Sequence, residues 1–545
     1  MTASDSSSSA TDRSERLSFD LDAAGLLPPL ASAFVRGVER DLLAPLGYGE
    51  GEIGQPPTVD RRSLAEALAV ANTSYGHPAG EALAAKLADP QARVVVTGQQ
   101  PGLFGGPLYT LTKAVAATLW AERLEAAGMA ALAVFWVSTE DHDFREIAQS
   151  HFLTPSGVTS LDLGDDPSPL LPVGMRTLGE PVTKSLGLLQ EVAQSERYAR
   201  WVEQLTTWYR PEVRFGEAFS RLLVELLGER CPLLLDAMLP AVKTAERPLL
   251  EQFVTRREAI EEAFVARDRE IEARGFPLQV NPQRGASPLF VLHGQERRRV
   301  EWRGDERFAL RGQQPFEESV DWLLELIAEN PAVVSAGVMG RSALQDAILG
   351  TSVLLLGPGE ISYIPQVAPI YEVLGIAPPA VILRPQAMIL PRHQLERLEA
   401  LDLTLSELLS SSFDIDAFLA KGHGDDVVAP VRERILNDLE ELKGKALAID
   451  GDLAKPWEKT RQQIEKVLTA FSGRVTAAVA RRDQVARSRL EDLRQSVRPG
   501  GTLQERVVST AHFPGKFGPA LTEALFSQLG LDPDRLHIIT PGENS

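Results

Sequence analysis

Residues 93–127 begin with Arg93-Val-Val-Val-Thr97, continue through Gly98-Gln-Gln-Pro-Gly-Leu-Phe-Gly-Gly-Pro107 and end in the segment Leu108–Ala127. The β-branched run is short and stops at a glycine, which predicts a strand buried in a parallel sheet. The final segment has a strongly helical pattern, and Pro107 suits the first turn of a helix. The stretch therefore predicts a strand, a glycine-rich loop and a helix in succession.

The next apolar run, Ala131–Val137, ends in Ser138-Thr-Glu-Asp-His-Asp143. A strand, a loop, a helix and a second strand form a βαβ unit, and the ligands of such units bind at the carboxyl ends of the strands. Both polar loops fall at such ends. We therefore predict an α/β protein in which the loop Gly98–Pro107 and the segment Glu140–Asp143 share one site.

The other segments predict insertions into this core and a separate helical domain. Thr351–Leu356 is expected to be another core strand, Val291–Gly294 with Arg298–Trp302 a hairpin, and Leu536–Ile539 a strand that rejoins the core. The predicted organisation is a disordered tail at 1–18, a core at 19–390, a helical coiled-coil domain at 391–501 and a C-terminal segment at 502–545.

The helical domain carries apolar residues that alternate steps of four and three, as a coiled-coil seam requires. A seam this long predicts self-association, and its two helices could pair within one chain or between two. The seam consists of Ile435, Leu439, Leu442, Ala446, Ile449 and Leu453, followed after Pro456 by Trp457, Thr460, Ile464, Val467 and Phe471.

Composition narrows the class of protein. The chain of 545 residues has 56 Lys and Arg against 75 Asp and Glu, so its formal charge is −19. Such a chain repels phosphate backbones and anionic lipids, which argues against a nucleic-acid or membrane-surface protein. The single cysteine, Cys231, cannot form an internal disulfide, and neither a signal peptide nor a membrane-spanning segment is recognisable. We therefore expect a cytoplasmic protein.

The glycine-rich loop lacks the Gly-Lys-Ser/Thr ending of a phosphate-binding P-loop and lacks the dinucleotide fingerprint. It does place a flexible backbone at a helix N-terminus, where free N–H groups attract an anion. Gln99 and Gln100 add amide groups, and Thr110 and Lys113 follow one and two turns into the helix. The alternative is a tight turn with Lys113 in solvent.

The segment Glu140-Asp-His-Asp143 sets three carboxylates around an imidazole, directly after a buried strand. Like-charge repulsion raises some carboxyl pKa values, and such clusters serve as general acids and bases or bind ammonium groups. A solvated acidic loop is the alternative. We predict no metal site, because no second histidine cluster accompanies the segment.

A third turn at a strand end is Gly357-Pro-Gly-Glu360. Its neighbours Tyr363 and Gln366 could hydrogen-bond a polar ligand, while Arg341 and Arg384 are candidates for anions. A turn that serves packing alone is the alternative.

Four motifs together resemble the bacillithiol biosynthesis cysteine-adding enzyme family. Two long ones are Val96-Thr-Gly-Gln-Gln-Pro-Gly-Leu-Phe-Gly-Gly-Pro-Leu-Tyr-Thr-Leu-Thr-Lys113 and Phe135-Trp-Val-Ser-Thr-Glu-Asp-His-Asp-Phe-Arg-Glu-Ile147. Shorter matches are Leu356-Gly-Pro-Gly-Glu-Ile-Ser-Tyr363 and Leu503-Gln-Glu-Arg-Val507. The sequence departs from the family pattern at Gly105, where Thr is common, at Gly337 and Ser342 around Arg341, and at Gln345 and Asp346, where two Glu are usual.

The resemblance implies a Rossmann-like core similar to class I aminoacyl-tRNA synthetases and nucleotidylyltransferases, with a coiled coil that forms a homodimer. It implies ligation of L-cysteine to the amino group of glucosaminyl malate. ATP is implied only by the position of the glycine-rich loop, which corresponds to the phosphate-binding region of those relatives. The alternatives are a related ligase or nucleotidyl transferase that acts on another amine, and a non-catalytic coiled-coil scaffold.

The candidate site follows from the motifs together. The candidate catalytic residues are Lys113, Asp141, His142 and Asp143. The candidate substrate-binding residues are Thr97, Gly98, Gln99, Gln100, Gly106, Pro107, Tyr109, Thr110, Glu140, Arg341, Glu360, Tyr363, Gln366 and Arg384.

Overall fold

The computed structural model of the chain describes residues 18–154, 157–193, 195–281, 285–312, 316–420, 425–482 and 484–542. The predicted tail at 1–18 lies outside these ranges except for Ser18, which begins the first strand. The chain divides into two compact units. One comprises the described residues up to Arg392 together with those from Gln504 onward, and the other is His393–Leu503.

The strands all lie in the first unit. They are β1 Ser18–Asp20, β2 Gly47–Tyr48, β3 Arg93–Gln99, β4 Ala131–Val137, β5 Gln149–Thr154, β6 Gly157–Asp162, β7 Leu233–Asp236, β8 Ala286–His293, β9 Glu296–Arg303, β10 Arg307–Leu310, β11 Glu317–Ser319, β12 Val334–Ala336, β13 Thr351–Leu356, β14 Ala380–Leu383, β15 Gln386–Ile389 and β16 Arg535–Ile539.

The helices before the second unit are α1 Pro29–Val35, α2 Arg62–Tyr75, α3 Gly80–Ala88, α4 Tyr109–Ala126, α5 Phe144–Ile147, α6 Pro181–Glu191, α7 Glu196–Leu205, α8 Phe215–Leu227, α9 Pro240–Thr255, α10 Arg257–Ala273, α11 Val320–Glu329, α12 Val338–Leu349, α13 Pro358–Val367 and α14 Pro369–Leu374. Those that follow are α15 Arg392–Ala400, α16 Leu405–Leu409, α17 Ile415–Ala420, α18 Asp425–Ile449, α19 Ala454–Arg482, α20 Gln484–Val497, α21 Gln504–Val507, α22 His512–Phe517 and α23 Ala520–Gln528.

The core is a six-stranded sheet of order β2-β14-β13-β3-β4-β7, and every pair in it is parallel. All seven residues of β4 are buried, because helices cover both faces of the sheet. Leu111 of α4 packs on one face and Leu68 of α2 on the other. The prediction of a parallel α/β core is therefore confirmed.

Three smaller sheets accompany the core in the described residues, and one of them is the antiparallel pair β5 and β6. The predicted hairpin is confirmed as β8 and β9, which pair antiparallel within a sheet of order β11-β10-β9-β8-β12. The predicted C-terminal strand is β16, but it joins a separate sheet of order β1-β16-β15 rather than the six-stranded one. Ser18 lies opposite His537 in that sheet, so the first and last described strands pair.

The second unit is helical, and the predicted seam lies on α18 and α19, except for Leu453 in the turn between them. Trp457 is buried, and its Nε1 donates to Leu439 O at 3.2 Å. Other seam residues remain open to solvent, including Ile449 at 84% and Phe471 at 55% exposure. The pairing of these two helices therefore covers only part of the seam. In the part of the chain that the structure describes, no helix has the length and apolar character needed to cross a bilayer.

Candidate active site

The carboxyl ends of β3, β4 and β13 open into one cavity of about 490 Å³. Gln99 lies opposite Val137 in the parallel register, so the loops after β3 and β4 start side by side. Ser138 N–H donates to Gln99 O at 3.0 Å, and Gln100 Nε2 donates to Asp141 Oδ2 at 2.7 Å. The two loops that the sequence assigned to one site therefore contact each other.

Lys113 of α4 lies behind the glycine-rich loop and is only 3% exposed. Its Nζ donates to Gly98 O at 2.8 Å and to Gln99 Oε1 at 3.0 Å, and it forms an ion pair with Glu360 Oε2 at 2.7 Å. Burial lowers the pKa of Lys113, and the charge of Glu360 opposes this shift. An ammonium group has three donors, so all of them are engaged. A ligand anion would have to displace one of these partners.

The backbone of the glycine-rich loop is also engaged. Leu108 N–H donates to Val508 O at 2.8 Å, Thr110 N–H donates to Pro107 O at 2.9 Å, and Pro107 itself has no N–H. The start of α4 therefore offers fewer free donors than the sequence led us to expect. Cationic side chains carry most of the positive charge that faces the cavity.

Asp141 lies on the cavity wall in a setting that favours its charged form. Burial alone would raise its pKa, but the Arg297 guanidinium, the His142 backbone N–H at 2.7 Å and the Gln100 amide together lower it. The carboxylate is therefore ionised at neutral pH. It is suited to bind an ammonium group and poorly suited to accept a proton.

Arg297 of β9 completes this wall, although the sequence gave no reason to select it. Its guanidinium is 5% exposed and donates to Ser335 Oγ at 2.9 Å and to Ala336 O at 2.8 Å. A third contact, at 3.2 Å, joins Nη1 to Nδ1 of His142. Burial lowers the pKa of Arg297 to about 10, so it stays cationic at neutral pH. Burial and the charge of Arg297 also lower the pKa of His142.

Glu140 lines the cavity, but its carboxylate pairs with a lysine on α9. It forms an ion pair with Lys243, whose Nζ also donates to Glu246 Oε2 at 2.8 Å. All three side chains are buried. Burial lowers the pKa of Lys243 and raises that of Glu246. This cluster anchors the segment after β4 to α9, although no motif in the sequence points to Lys243 or Glu246.

The cavity is cationic on balance, with six Lys or Arg side chains in its lining against four Asp or Glu. Arg384 is already neutralised, because its guanidinium forms two hydrogen bonds with Glu505, at 2.8 and 3.1 Å. Arg341 donates to Ser138 Oγ at 2.9 Å. Among the described residues, Arg299, Arg341 and Arg506 form no ion pair with a carboxylate. These three guanidinium groups are available to an anionic ligand.

Glu146 of α5 lies at the rim of the same cavity. Partial desolvation and the negative charges of Asp141 and Asp143 raise its pKa. Glu146 is thus a better proton acceptor near neutral pH than Asp141. The tyrosines at the site, Tyr109 and Tyr363, each have a pKa raised to about 12 by burial, so both are neutral hydroxyl groups.

Several candidate residues do not line the cavity. Thr97 Oγ1 donates to Leu355 O at 3.0 Å, and Gly106 O accepts a hydrogen bond from Thr510 N–H at 2.7 Å. Thr97 and Gly106 therefore hold neighbouring segments together. Gln366 donates to Asp268 Oδ1 at 2.9 Å and to Val280 O at 2.8 Å. Asp143 instead caps α5, where its Oδ1 accepts from Glu146 N–H at 3.3 Å. Pro107 and Thr110 are likewise outside the lining.

The remaining candidates do line it: Gly98, Gln99, Gln100, Tyr109, Lys113, Glu140, Asp141, His142, Arg341, Glu360, Tyr363 and Arg384. The lining also includes Phe290, Arg297 and Arg299 from the segment 286–303, together with Glu146 and Arg506, which the sequence analysis did not select. Arg506 lies within the Leu503–Val507 motif and could have been found there. In the described ranges, no group of three or more His, Cys, Asp or Glu side chains is placed to hold a metal ion. The expectation that no metal is bound stays a prediction.

The model of the family described as "Bacillithiol biosynthesis BshC, N-terminal Rossmann-like domain" matches residues 51–385. The chain belongs to the BshC family. A second model, "Bacillithiol biosynthesis BshC, C-terminal coiled-coil domain", matches residues 387–539. The predicted Rossmann-like core and coiled-coil domain are thereby confirmed.

Relatives of the BshC family align along most of the chain. The protein named "Putative cysteine ligase BshC" from Salinibacter ruber is 29% identical over 489 residues, which are 88% of this chain and 89% of that protein. A protein of the same name from Heliobacterium modesticaldum is 31% identical over 465 residues, 81% and 82% of the two chains. The one from Chlorobium phaeobacteroides is 27% identical over 501 residues, 88% of each.

The buried carboxyl group of Asp346 gives a prediction for stability. It is fully buried on α12, where burial raises its pKa to about 6, although hydrogen bonds from Tyr371 at 2.6 Å and Gln345 at 3.1 Å oppose the shift. The folded state therefore binds this proton more tightly than the unfolded state. The free energy of unfolding should fall as pH rises from about 3 to 7, by about 3 kcal/mol in all from this group.

Asp346→Asn tests that prediction, because asparagine does not titrate. Urea unfolding of both proteins at pH 4, 5, 6 and 7 should show the wild-type chain losing about 2.5 kcal/mol relative to the variant across this range. A difference between the two proteins that stays constant with pH would contradict the prediction.

Proposed function

We propose that this chain joins L-cysteine to the amino group of glucosaminyl malate and so forms bacillithiol. The observation that carries the proposal is the meeting of the loop after β3 and the segment after β4 in one cavity, with an ionised Asp141 beside unpaired arginines. The relatives named above carry the name cysteine ligase, and the matching family is named for bacillithiol biosynthesis.

The charges of the two substrates match the cavity. Glucosaminyl malate carries two carboxylates, and we assign them to Arg341 with Arg299 and Arg506, because these guanidinium groups have no carboxylate partner among the described residues. Arg384 is less suited than the sequence analysis supposed, since Glu505 already neutralises it. We assign the cysteine ammonium group to Asp141, which is held in its charged form.

ATP is our proposed activating co-substrate. An amide does not form readily from a free carboxylate and an amine, so the cysteine carboxyl must first receive a leaving group. The cationic excess of the cavity suits the phosphates that would supply it. This assignment rests on charge and on the position of the loop after β3.

The proposal is tested by incubating the purified chain with glucosaminyl malate, cysteine and ATP, followed by mass spectrometry. A product with the mass of bacillithiol is expected, and omission of either amino-acid or sugar substrate should abolish it. Consumption of ATP with another amine but not with glucosaminyl malate would instead favour a related ligase or nucleotidyl transferase. Ligand binding without turnover of any substrate would favour a scaffold.

We also propose that the chain forms a homodimer through the seam of α18 and α19. Leu442 is 53% and Val467 66% exposed, an arrangement that leaves apolar surface to be covered by a partner. Light scattering should therefore give the mass of a dimer. Leu442→Glu combined with Phe471→Glu should give a monomer, while Glu441→Gln, off the seam of the same helix, should leave the mass unchanged. A monomeric wild-type chain at tens of micromolar would contradict the proposal.

A further inference from the structure

His142 is held by a neighbour that can only donate hydrogen bonds. Nη1 of Arg297 lies 3.2 Å from Nδ1 of His142, and a guanidinium group has no acceptor. The imidazole nitrogen must therefore accept this hydrogen bond. In the neutral ring the proton then resides on the other nitrogen, Nε2.

Arg297 has little freedom to abandon this contact. Its Nε and Nη2 donate to Ser335 Oγ and Ala336 O, and its guanidinium stacks over the ring of Phe290 at 4.1 Å. The side chain is buried, so no solvent competes for its donors. The hydrogen bond to His142 is thus part of a fixed arrangement that selects one tautomer.

Four charged groups act on the imidazole. Arg297 and Arg176 disfavour its protonation, whereas Asp141 and Asp143 favour it. Asp141 Oδ1 lies 3.8 Å from Nδ1, beyond hydrogen-bond distance, so Arg297 rather than Asp141 holds that nitrogen. Burial adds to the effect of the arginines, and the pKa of His142 lies below its ordinary value. The ring is therefore neutral at pH 7.

The second nitrogen is open to a ligand. His142 lines the cavity with 27% of its side chain exposed, and Nε2 makes no hydrogen bond with any residue in the described ranges. A fixed N–H group thus belongs to a residue that lines the same cavity as Asp141 and the arginines without a carboxylate partner. A general base would require a lone pair at this position, and the tautomer places a proton there instead.

We propose that His142 acts as a neutral hydrogen-bond donor, through Nε2–H, to the carboxyl oxygen of the amino acid that is joined, with Arg297 as the positioning residue. This role rests on the ligase function proposed above. The amine nitrogen forms a C–N bond to the activated carboxyl carbon, and negative charge develops on the carbonyl oxygen. Nε2–H stabilises that charge as an oxyanion-hole donor does.

The step also releases a leaving group from the carboxyl carbon and a proton from the attacking amine. In the activated carboxyl group one carboxylate oxygen carries a phosphate or nucleotide group transferred from the nucleoside triphosphate. The bond from the carboxyl carbon to that oxygen breaks, and the electron pair leaves on the oxygen as part of the released phosphate or nucleotide. The proton of the attacking amine passes to the carboxylate of Glu146, which lines the same cavity as His142. His142 keeps its proton throughout.

Three substitutions of His142 distinguish a hydrogen-bond donor from a general base. Glutamine can place an amide N–H near the position of Nε2, whereas asparagine reaches only the position of Nδ1, and alanine removes both. His142→Ala should lower kcat by about 10²–10³-fold, the usual effect of losing such a donor. His142→Gln should recover at least tenfold over alanine, and His142→Asn should not. Glutamine as inactive as alanine would overturn the proposal.

A spectroscopic test needs no activity, so it separates this proposal from the ligase function itself. In ¹⁵N-histidine-labelled protein at pH 7, the resonance that disappears in His142→Gln should show a protonated Nε2 and an unprotonated Nδ1. In Arg297→Gln the same ring should show both tautomers and titrate at a higher pH, because the neighbouring cation is gone. A wild-type ring that carries its proton on Nδ1, or on both nitrogens, would overturn the proposal even if ligase activity is found.

Discussion

Asp141→Asn is expected to lower kcat/KM for the ligation by about 10²–10³-fold. Asparagine is nearly isosteric but carries no charge, so the substrate ammonium group would enter a partly desolvated cavity without a counter-ion. Loss of one partner of a buried charge pair costs about 3–5 kcal/mol, and each 1.4 kcal/mol is a factor of ten. The low end applies to Asp141, because its side chain keeps 35% of its surface exposed. The buried Arg297 would also lose its nearest anion, whose Oδ1 lies 4.0 Å away.

Asp143→Asn is the matched control for this experiment. Asp143 is two positions away and has the same side chain, but it lies outside the cavity lining and caps α5. Asparagine serves as an N-cap about as well as aspartate. The control should therefore retain far more activity than Asp141→Asn. Steady-state kinetics of both variants with glucosaminyl malate and cysteine measure the difference, and equal losses would refute the assignment of Asp141.

Lys113→Met is expected to reduce the free energy of unfolding by about 3 kcal/mol. The substitution leaves Glu360 without its cation and leaves Gly98 O and Gln99 Oε1 without a donor. Breaking a buried pair typically costs 3–5 kcal/mol. We place this pair at the low end, because the side chain of Glu360 keeps 22% of its surface exposed.

The double variant Lys113→Met with Glu360→Gln distinguishes a buried ion pair from simple loss of packing. Removing both charges avoids an unpaired carboxylate, so the double variant should unfold at a higher urea concentration than Lys113→Met alone. A double variant that is less stable than the single one would show that the charge of Glu360 is not the source of the loss. Circular dichroism during urea unfolding measures all three proteins.

The sequence alone predicted that the loops after β3 and β4 share one site, because of the geometry of parallel strands. Parallel strands joined by a right-handed crossover bring their carboxyl ends to one edge, so Gln100 and Asp141 could be placed together without coordinates. Which side chains face the cavity was harder to predict. Thr97 bonds to the neighbouring strand and Asp143 caps a helix, and both outcomes depend on backbone directions that a motif does not specify.

The residues that the sequence analysis missed reach the site from distant segments. Arg297 is 155 positions from His142, and Lys243 belongs to α9, yet each contacts the segment after β4. Neither stands in a motif, and an arginine or lysine in a polar context is most often solvated. Only the packing of the β8–β9 hairpin and α9 against the core shows that these cations are buried.

The sequence by itself determined the parallel α/β core, the coiled-coil seam and the two loops that open this cavity, because each is encoded by short-range periodicity and by strand ends. The tertiary structure alone decided the states of the groups within it. The three donors of Lys113 are used by the protein itself, Asp141 stays charged, and Arg297 fixes the proton of His142 on Nε2. The protonation and hydrogen bonding of these groups depend on burial and on nearby charges. Both are set when folding brings segments that are remote in the sequence close together.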